Sequence, residues 1–217
     1  MTSSRGLFIT FEGPEGSGKS TQLRLLVHRL RGEGRNILET AEPGGTPIGV
    51  QIRRVLLDAK NQDLSPTAEL LLMFAARAQN VDQWILPALS QGRIVICDRF
   101  TDSTLAYQGA ARGLGAETVY DVDRIACRGL VPDLTLLIDV DIEMGLARAH
   151  RRNERAHEVE TRIDEQSLEF HRKVREAYLH LAEDEPQRVK LIDGNRAEGE
   201  VAADVWAAVA PFLMNQH

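Results

Sequence analysis

The sequence predicts an α/β fold of three layers, in which a five-stranded parallel sheet is flanked by helices. Five apolar runs alternate with longer segments of helical periodicity along the 217 residues. These runs cover residues 7–11, 37–40, 94–97, 134–140 and 189–192. Residues 7–11 and 134–138 show continuous and not alternating hydrophobicity, which is typical of strands buried on both faces of a parallel sheet. We therefore expect ligands to bind where the carboxyl ends of the strands meet.

The helices are marked by capping residues and apolar faces. In the segment that follows the first run, Leu23, Leu26, Val27 and Leu30 share one helical face. The best-marked helix is predicted from residue 66 to about residue 86, with Ser65 as its N-cap and Pro87 beyond its end. No linker or internal repeat interrupts the chain, so we predict a single domain over residues 1–217.

A glycine-rich stretch joins the first run to the first helix. It reads Gly13-Pro14-Glu15-Gly16-Ser17-Gly18-Lys19-Ser20 and matches the pattern G-x-x-x-x-G-K-[ST]. In this pattern backbone N–H groups face a nucleotide's phosphates, the lysine reaches the β- and γ-phosphates, and the hydroxyl binds Mg²⁺. The alternative, a glycine-rich turn without a ligand, is disfavoured because strand, loop and helix follow one another in the required order.

Composition excludes several other classes of protein. The formal net charge of −6 argues against a general nucleic-acid binder, which normally needs a basic face. No apolar stretch reaches about eighteen residues, so we expect neither a membrane span nor a signal peptide, and we predict a cytoplasmic protein. Two cysteines and six histidines show no metal-ligand spacing, so we expect no metal held by protein side chains alone.

Further charged residues follow the second and third runs. Asp98 and Arg99 come directly after the third run, where a carboxylate can order Mg²⁺ and a guanidinium can bind a phosphate, although a simple salt bridge between them is the alternative. A turn at residues 42–46 precedes a helix with Arg53, and the long helix carries Arg77. A second anionic substrate needs positive charges besides those of the glycine-rich loop. Arg53, Arg77 and Arg99 are the candidates.

Taken together, these motifs resemble bacterial thymidylate kinases over nearly the whole chain. The resemblance is carried by Phe11-Glu12-Gly13, by the glycine-rich loop and by residues 42–46, 74–79, 98–113 and 162–181. It implies the P-loop kinase fold of nucleoside-monophosphate kinases and transfer of the γ-phosphoryl group of ATP to dTMP, which gives dTDP and ADP for dTTP synthesis. It also implies Mg²⁺ as cofactor and a homodimer. The net charge and the lack of a long apolar stretch predict neither nucleic acid nor membrane as a partner.

The resemblance assigns roles to individual residues. ATP is expected to bind Gly13, Pro14, Glu15, Gly16, Ser17, Gly18, Lys19, Ser20 and Thr21, with Mg²⁺ at Ser20 and Asp98. dTMP is expected to contact Glu15, Arg53, Met73, Phe74, Arg77, Arg99, Thr104, Tyr107 and Gln108. Lys19, Arg53 and Arg99 are the implied catalytic groups in the core of the site. Because the acceptor phosphate oxygen is already ionised near neutral pH, no general base is required.

One more catalytic arginine is expected in a flexible lid at about residues 148–161. Gly16 stands where one branch of the family has a basic residue, so the chain resembles the branch with lid arginines. The lid candidates are Arg148, Arg151, Arg152 and Arg155. The alternative is a solvated helix whose arginines are neutralised by nearby glutamates. The sequence does not identify which arginine acts.

Two questions stay open at the level of sequence. Related enzymes often place an aromatic ring four residues before the pocket arginine, and here Met73 has that offset from Arg77 while Phe74 follows one place later. Either side chain can face the base, since positions three and four apart share a helical face. The acceptor is the other question, because a kinase for another nucleoside monophosphate or for a deoxynucleoside would differ mainly at Arg77, Thr104 and Gln108.

Two unrelated functions fit less well. A regulatory GTPase requires N-K-x-D and D-x-x-G elements, and neither occurs in this chain. A catalytically silent nucleotide-binding protein does not need the full set of reactive groups, yet Lys19, Ser20, Asp98 and Arg99 are all present.

Overall fold

The computed structural model describes residues 5–156 and 161–214 and contains the predicted five-stranded parallel sheet. Its strands are β1 (Phe8–Glu12), β2 (Ile37–Ala41), β3 (Ile94–Asp98), β4 (Leu134–Asp139) and β5 (Val189–Asp193). They are ordered β2-β3-β1-β4-β5 across the sheet. Each of the five apolar runs forms a strand, and β1 is buried along its whole length. The prediction of strands buried on both faces is confirmed for β1.

Helices connect the strands and cover both faces of the sheet. They are α1 (Lys19–Gly32), α2 (Pro47–Leu57), α3 (Pro66–Asn80), α4 (Leu86–Ser90), α5 (Thr101–Thr104), α6 (Ala116–Cys127), α7 (Ile142–Ala156), α8 (Leu168–Asp184) and α9 (Glu198–Met214). Two π-helical segments, Val81–Ile85 and Leu105–Ala111, continue α3 and α5.

The predicted long helix begins as expected but does not end before Pro87. Ser65 accepts a hydrogen bond from the Ala68 backbone N–H at 3.3 Å, which makes it the N-cap. Pro87 was expected beyond the helix and instead lies in the first turn of α4, directly after the π-helical segment. The hydrogen-bonding pattern changes at this junction, so the missing N–H of proline is tolerated there.

Apolar side chains pack on both faces of the sheet. On one face Phe11 of β1 packs in a cluster with Leu26 of α1 and Val205 of α9. On the other face Phe8 belongs to a second cluster with Phe74 and Phe100, and the rings of Phe8 and Phe100 meet edge to face at 5.0 Å. Successive side chains of β1 point to opposite faces of the sheet, so the strand contributes to the apolar cluster on each face. Helices therefore pack on both faces, which confirms the three-layer arrangement.

The sheet register brings separate motifs to one edge. Phe11 pairs with Asp98 across β1 and β3, and Ala41 pairs with the same Asp98 across β2 and β3. The glycine-rich loop after β1 therefore lies beside the Asp98-Arg99 pair. It also lies near the turn at residues 42–46 that follows β2.

Neither cysteine forms a disulfide, since Cys97 and Cys127 are both buried and free, as expected of packing residues. Within residues 5–156 and 161–214, no helix has both the length and the apolar character needed to cross a bilayer.

Glu12 anchors the end of β1 to the segment after β3. Its side chain is fully buried, and it accepts hydrogen bonds from the backbone N–H of Phe100 at 2.7 Å, from the Ser103 hydroxyl at 2.5 Å and from the Tyr178 hydroxyl at 2.8 Å. These bonds join β1, α5 and α8. A buried carboxylate with three donors is satisfied, and the network fixes the three elements relative to one another.

The shifted pKa of the Glu12 carboxyl group predicts a measurable pH dependence of the free energy of unfolding. Burial, followed by the charge of Asp102, raises the pKa of Glu12 from 4.5 to about 7. Between these values the folded chain keeps a proton that the unfolded chain releases, so the free energy of unfolding falls as the pH rises. The stabilisation from protonated Glu12 is therefore complete below pH 4.5 and is lost as the pH rises through about 7.

We expect Glu12→Gln, which does not titrate, to weaken this pH dependence by about 1 kcal/mol or more between roughly pH 5 and pH 8. Urea unfolding of both proteins at several pH values in this range measures the difference. If the two stability curves run parallel, Glu12 does not take up a proton on folding in this range.

Candidate active site

Two adjoining clefts open at the carboxyl edge of the sheet. The P-loop cleft, of about 490 Å³, is lined by residues 15–21, Asp98 and Arg148 among others. The side pocket, of about 130 Å³, is lined on its inner side by Met73, Arg77, Thr104, Tyr107 and Gln108. The two share part of their walls. The shared residues are Glu15, Glu42, Arg53, Arg99 and Arg152.

Lys19 is held inside the P-loop by the loop's own oxygens. Its ammonium group donates hydrogen bonds to the carbonyl oxygens of Gly13 at 3.0 Å and Pro14 at 2.8 Å, and to the Ser17 hydroxyl at 3.3 Å. Burial, followed by the positive charge of Arg99, lowers the pKa of Lys19 to about 8. Lys19 also begins α1, so the positive end of the helix dipole faces the same place. The loop is therefore built to receive an anion.

Gly16 explains why this loop carries no cation of its own beyond Lys19. Its backbone has φ +67°, and a Cβ atom at this position would lie 1.9 Å from the carbonyl oxygen of Gly145 in α7. Gly145 is equally constrained, because a Cβ there would lie 2.4 Å from the carbonyl oxygen of Glu15. Close packing of α7 on the loop thus excludes a basic side chain at position 16. A further cation has to come from another element.

Ser20 and Asp98 provide hard oxygen ligands at the edge of the P-loop cleft. The Ser20 hydroxyl donates a hydrogen bond to the Asp98 carboxylate at 2.9 Å, and neither side chain is buried. No cluster of three or more His, Cys, Asp or Glu side chains suited to a metal occurs in the part of the chain that the structure describes. Such a donor pair fits Mg²⁺, which takes few protein ligands and fills its shell with phosphate oxygens and water.

Arg99 lies at the border of the two clefts and is already hydrogen-bonded on several sides. Its guanidinium donates to the carbonyl oxygen of Gly13 at 3.1 Å, to Ser103 at 3.1 Å, to Tyr178 at 3.2 Å and to Glu15 at 2.7 Å. Its backbone has φ +71°, a left-handed conformation that is uncommon for residues other than glycine. This strain is typical of functional positions, and the four bonds fix the direction of the side chain.

Glu15 is ionised beside Arg99. It also accepts a hydrogen bond from the Tyr107 hydroxyl at 2.9 Å. Burial by itself raises the pKa of Glu15, but the charges of Arg99 and Lys19 outweigh burial and bring the pKa down to about 2. Glu15 therefore presents a permanent hydrogen-bond acceptor on the wall that both clefts share.

Arg77 forms the rigid floor of the side pocket. Only 2% of the residue is exposed; it donates one hydrogen bond to the Glu42 carboxylate and another, of 3.0 Å, to the carbonyl oxygen of Phe100. Its guanidinium lies 4.8 Å from the centre of the Phe74 ring. Met73 lines the pocket, whereas Phe74 lies in the core beneath Arg77. Of the two side chains that sequence left open, Met73 therefore faces the pocket and Phe74 supports its floor.

The lid arginines separate into two groups on α7. Arg148 lines the P-loop cleft, and Arg152, four residues later on the same helical face, lines both clefts. Arg151 lines neither cleft and donates back to the carbonyl oxygen of Ala147 at 3.1 Å. The side chain of Arg155 lies outside the described residues, as do residues 157–160 of the predicted lid.

Sequence reasoning missed part of the site. Asp164 lines the side pocket and accepts hydrogen bonds from Asn153 at 2.6 Å and from Arg152 at 3.3 Å, so it joins the segment after residue 160 to α7. Glu12 and Ser103 lie beneath Arg99 and were not predicted to act there. The one local signal was the carboxylate of Glu12 at the end of a strand that is apolar apart from Thr10.

Comparison with known proteins identifies the family of the chain. The family model for thymidylate kinase matches residues 11–205. Thymidylate kinase from Pelobacter propionicus is 53% identical over 97% of this chain and 96% of its own length, and that from Deinococcus radiodurans is 47% identical over 95% and 98%. The crystal structure of thymidylate kinase from Ehrlichia chaffeensis aligns with a TM-score of 0.75 at 33% identity, covering 95% of this chain and 99% of that one. The chain belongs to the thymidylate kinase family.

Proposed function

We propose that this chain transfers the γ-phosphoryl group of ATP to dTMP and releases ADP and dTDP, the precursor of dTTP. Membership in the thymidylate kinase family supports this enzymatic activity. The observation that carries the assignment is the shared wall of the two clefts, where Arg53, Arg99 and Arg152 lie between a nucleotide-binding loop and a second pocket. Cations in this position face a donor phosphate on one side and an acceptor phosphate on the other.

The residues of the P-loop cleft bind and orient ATP. Lys19 and the backbone N–H groups of the loop hold the β- and γ-phosphates, with the positive end of α1 behind them. Ser20 and Asp98 hold Mg²⁺, which supplies charge neutralisation on the phosphate oxygens when it is bound. The side chains themselves need no proton transfer, because the acceptor oxygen arrives ionised.

The residues of the side pocket place the acceptor. Its phosphate belongs at the shared wall, where Arg53 and Arg99 orient the attacking oxygen toward the donor. The nucleoside then extends inward, with its base beside Met73, Thr104 and Gln108. Glu15 is an ionised acceptor within reach of the sugar, and we assign it to the deoxyribose hydroxyl. Tyr107 holds Glu15 in place from the pocket side.

Arg152 is the lid residue that we assign to the transferring group. It is the one lid arginine with a described side chain that lines both clefts, and 59% of that side chain is exposed. Positive charge placed at the transferring group stabilises the transition state. We propose that residues 148–161 close as a lid over a single-domain enzyme and bring this charge to the reaction.

We further propose that the enzyme is a cytoplasmic homodimer, with neither nucleic acid nor membrane as a partner. Support for the dimer comes from α2, α3 and α6, which lie side by side and expose large apolar residues. Ile48 is 52% exposed, Leu71 54% and Ile125 82%. Apolar side chains of this size on adjacent helices are typical of an interface between copies.

A phosphoryl-transfer assay across acceptors tests the activity. With ATP and Mg²⁺ we expect kcat/KM to be highest for dTMP among dTMP, dUMP, dCMP, dGMP, AMP, CMP and thymidine. Protein carrying Lys19→Ala, purified in the same way, controls for contaminating kinases and should be nearly inactive. Preference for another acceptor would keep the kinase reaction and overturn the assignment of the side pocket, while absence of transfer would contradict both.

The lid assignment predicts different effects for two neighbouring arginines. Arg152→Ala should lower kcat about 10³-fold, the scale expected when an arginine at the transferring group is lost. Arg151→Ala, which changes the same helix and the same net charge, should leave kcat nearly unchanged because Arg151 lines neither cleft. Steady-state kinetics with saturating ATP and dTMP provide the comparison. Equal losses in both variants would mean that overall charge, and not the position of Arg152, supports the reaction.

A further inference from the structure

Gln108 lies at the inner end of the side pocket, away from the shared wall. It is 1% exposed, and its amide nitrogen donates a hydrogen bond of 2.8 Å to the Glu69 carboxylate. Its amide oxygen has no hydrogen-bond partner among residues 5–156 and 161–214. Since the acceptor phosphate belongs at the shared wall, the inner end receives the base. Gln108 thus offers the base an oxygen.

Glu69 determines which atom of that amide is offered. It does not line the pocket, and its side chain is completely buried. Besides Gln108 it accepts hydrogen bonds from Arg162 at 2.6 Å and from Arg112 at 3.2 Å. Burial alone raises the pKa of Glu69, but the hydrogen bond of Gln108 and the bonds and charge of Arg112 outweigh it and lower the pKa. An ionised carboxylate only accepts hydrogen bonds, so the nitrogen of Gln108 has to face it.

We propose that Glu69 is a positioning residue for base selectivity, which fixes the Gln108 oxygen toward the pocket so that it reads the ring N–H of thymine. This inference rests on the proposed function. Thymine and uracil carry a single donor on the base edge, the N3–H group. Arg77, which lines the same side of the pocket, is a donor only. With the amide reversed, Gln108 and Arg77 would both present donors to the base, and the buried N3–H would lose the amide oxygen as its partner.

The arginines around Glu69 suggest a single substitution, Glu69→Gln, that should reverse the orientation of the Gln108 side-chain amide. One carboxylate oxygen of Glu69 accepts from Arg162 at 2.6 Å and from Arg112 at 3.2 Å, and the other accepts from Gln108 at 2.8 Å and from Arg112 Nε at 3.2 Å. In Glu69→Gln the new carbonyl oxygen keeps the position that accepts from both arginines, including the short bond from Arg162. The new NH₂ group then faces Gln108 and gives up only the 3.2 Å bond from Arg112 Nε. Gln108 then turns its own oxygen toward position 69 and its NH₂ group toward the base. That arrangement suits cytosine, whose N3 is an acceptor.

The test compares the ratio of kcat/KM for dTMP to kcat/KM for dCMP in wild type and Glu69→Gln. We expect the ratio to fall at least about tenfold, the effect of one unpaired buried hydrogen-bonding group. A purely structural defect lowers both values together and leaves the ratio unchanged. Glu69→Asp keeps a carboxylate and should keep the wild-type preference. In a Gln108→Leu background, Glu69→Gln should have no effect on the ratio.

The outcomes separate the inference from the proposed function. A folded Glu69→Gln enzyme with the wild-type ratio overturns the inference, while the activity of wild type with dTMP still supports the function. Wild type that does not phosphorylate dTMP contradicts the function itself. If Glu69→Gln does not give a cooperative thermal transition, Gln108→Leu decides the question, because a wild-type ratio in that variant excludes base reading by the amide.

Discussion

The site depends on holding the guanidinium of Arg99 between two anion-binding clefts before either substrate arrives. Removing such a charge from water costs several kcal/mol unless its donors are paired. Here the carbonyl oxygen of Gly13, the hydroxyls of Ser103 and Tyr178 and the carboxylate of Glu15 provide the partners. Because those groups come from the glycine-rich loop, α5 and α8, three separate parts of the chain take part in holding one side chain.

Two carboxylates with opposite pKa shifts surround this cation. Glu15, on the wall of the clefts, has its pKa lowered to about 2, whereas Glu12, deeper in the protein, has its pKa raised to about 7. Direct contact with Arg99 keeps Glu15 charged, while Glu12 reaches Arg99 only through hydroxyl groups. The outer carboxylate can therefore bind substrate, and the inner one supports the network. The net charge of the whole chain, −6, does not reveal this local arrangement, because lysine and arginine side chains are concentrated along the clefts.

Short-range features of the site were predictable from sequence. The apolar runs identified the strands because a strand buried on both faces has no polar alternation, and the glycine-rich loop is contiguous in the chain. Arg53, Arg77 and Arg99 were chosen by their positions after strands or on helices, and the structure places all three around the side pocket. Position 16 has no side chain for a steric reason, because a Cβ atom there would clash with the backbone of Gly145. No local sequence pattern contains this long-range contact.

Long-range hydrogen bonds and helix rotation were not predictable. Glu12 and Tyr178 are 166 positions apart, and Glu69 and Arg162 are 93 apart, so no spacing rule connects them. Met73 and Phe74 differ by one residue, or about 100° around a helix, which is less than sequence periodicity resolves. The turn of α3 into its π-helical segment likewise depends on packing that follows only from the assembled core.

Simultaneous occupancy of both clefts is the central claim, and calorimetry measures it directly. dTMP is titrated into the protein saturated with Mg²⁺ and a non-hydrolysable ATP analogue, and the result is compared with the titration without the analogue. We predict that one dTMP binds per chain in both experiments. If the analogue abolishes dTMP binding by competition, the two nucleotides share one site, and the assignment of Arg99 to a boundary between two clefts is wrong.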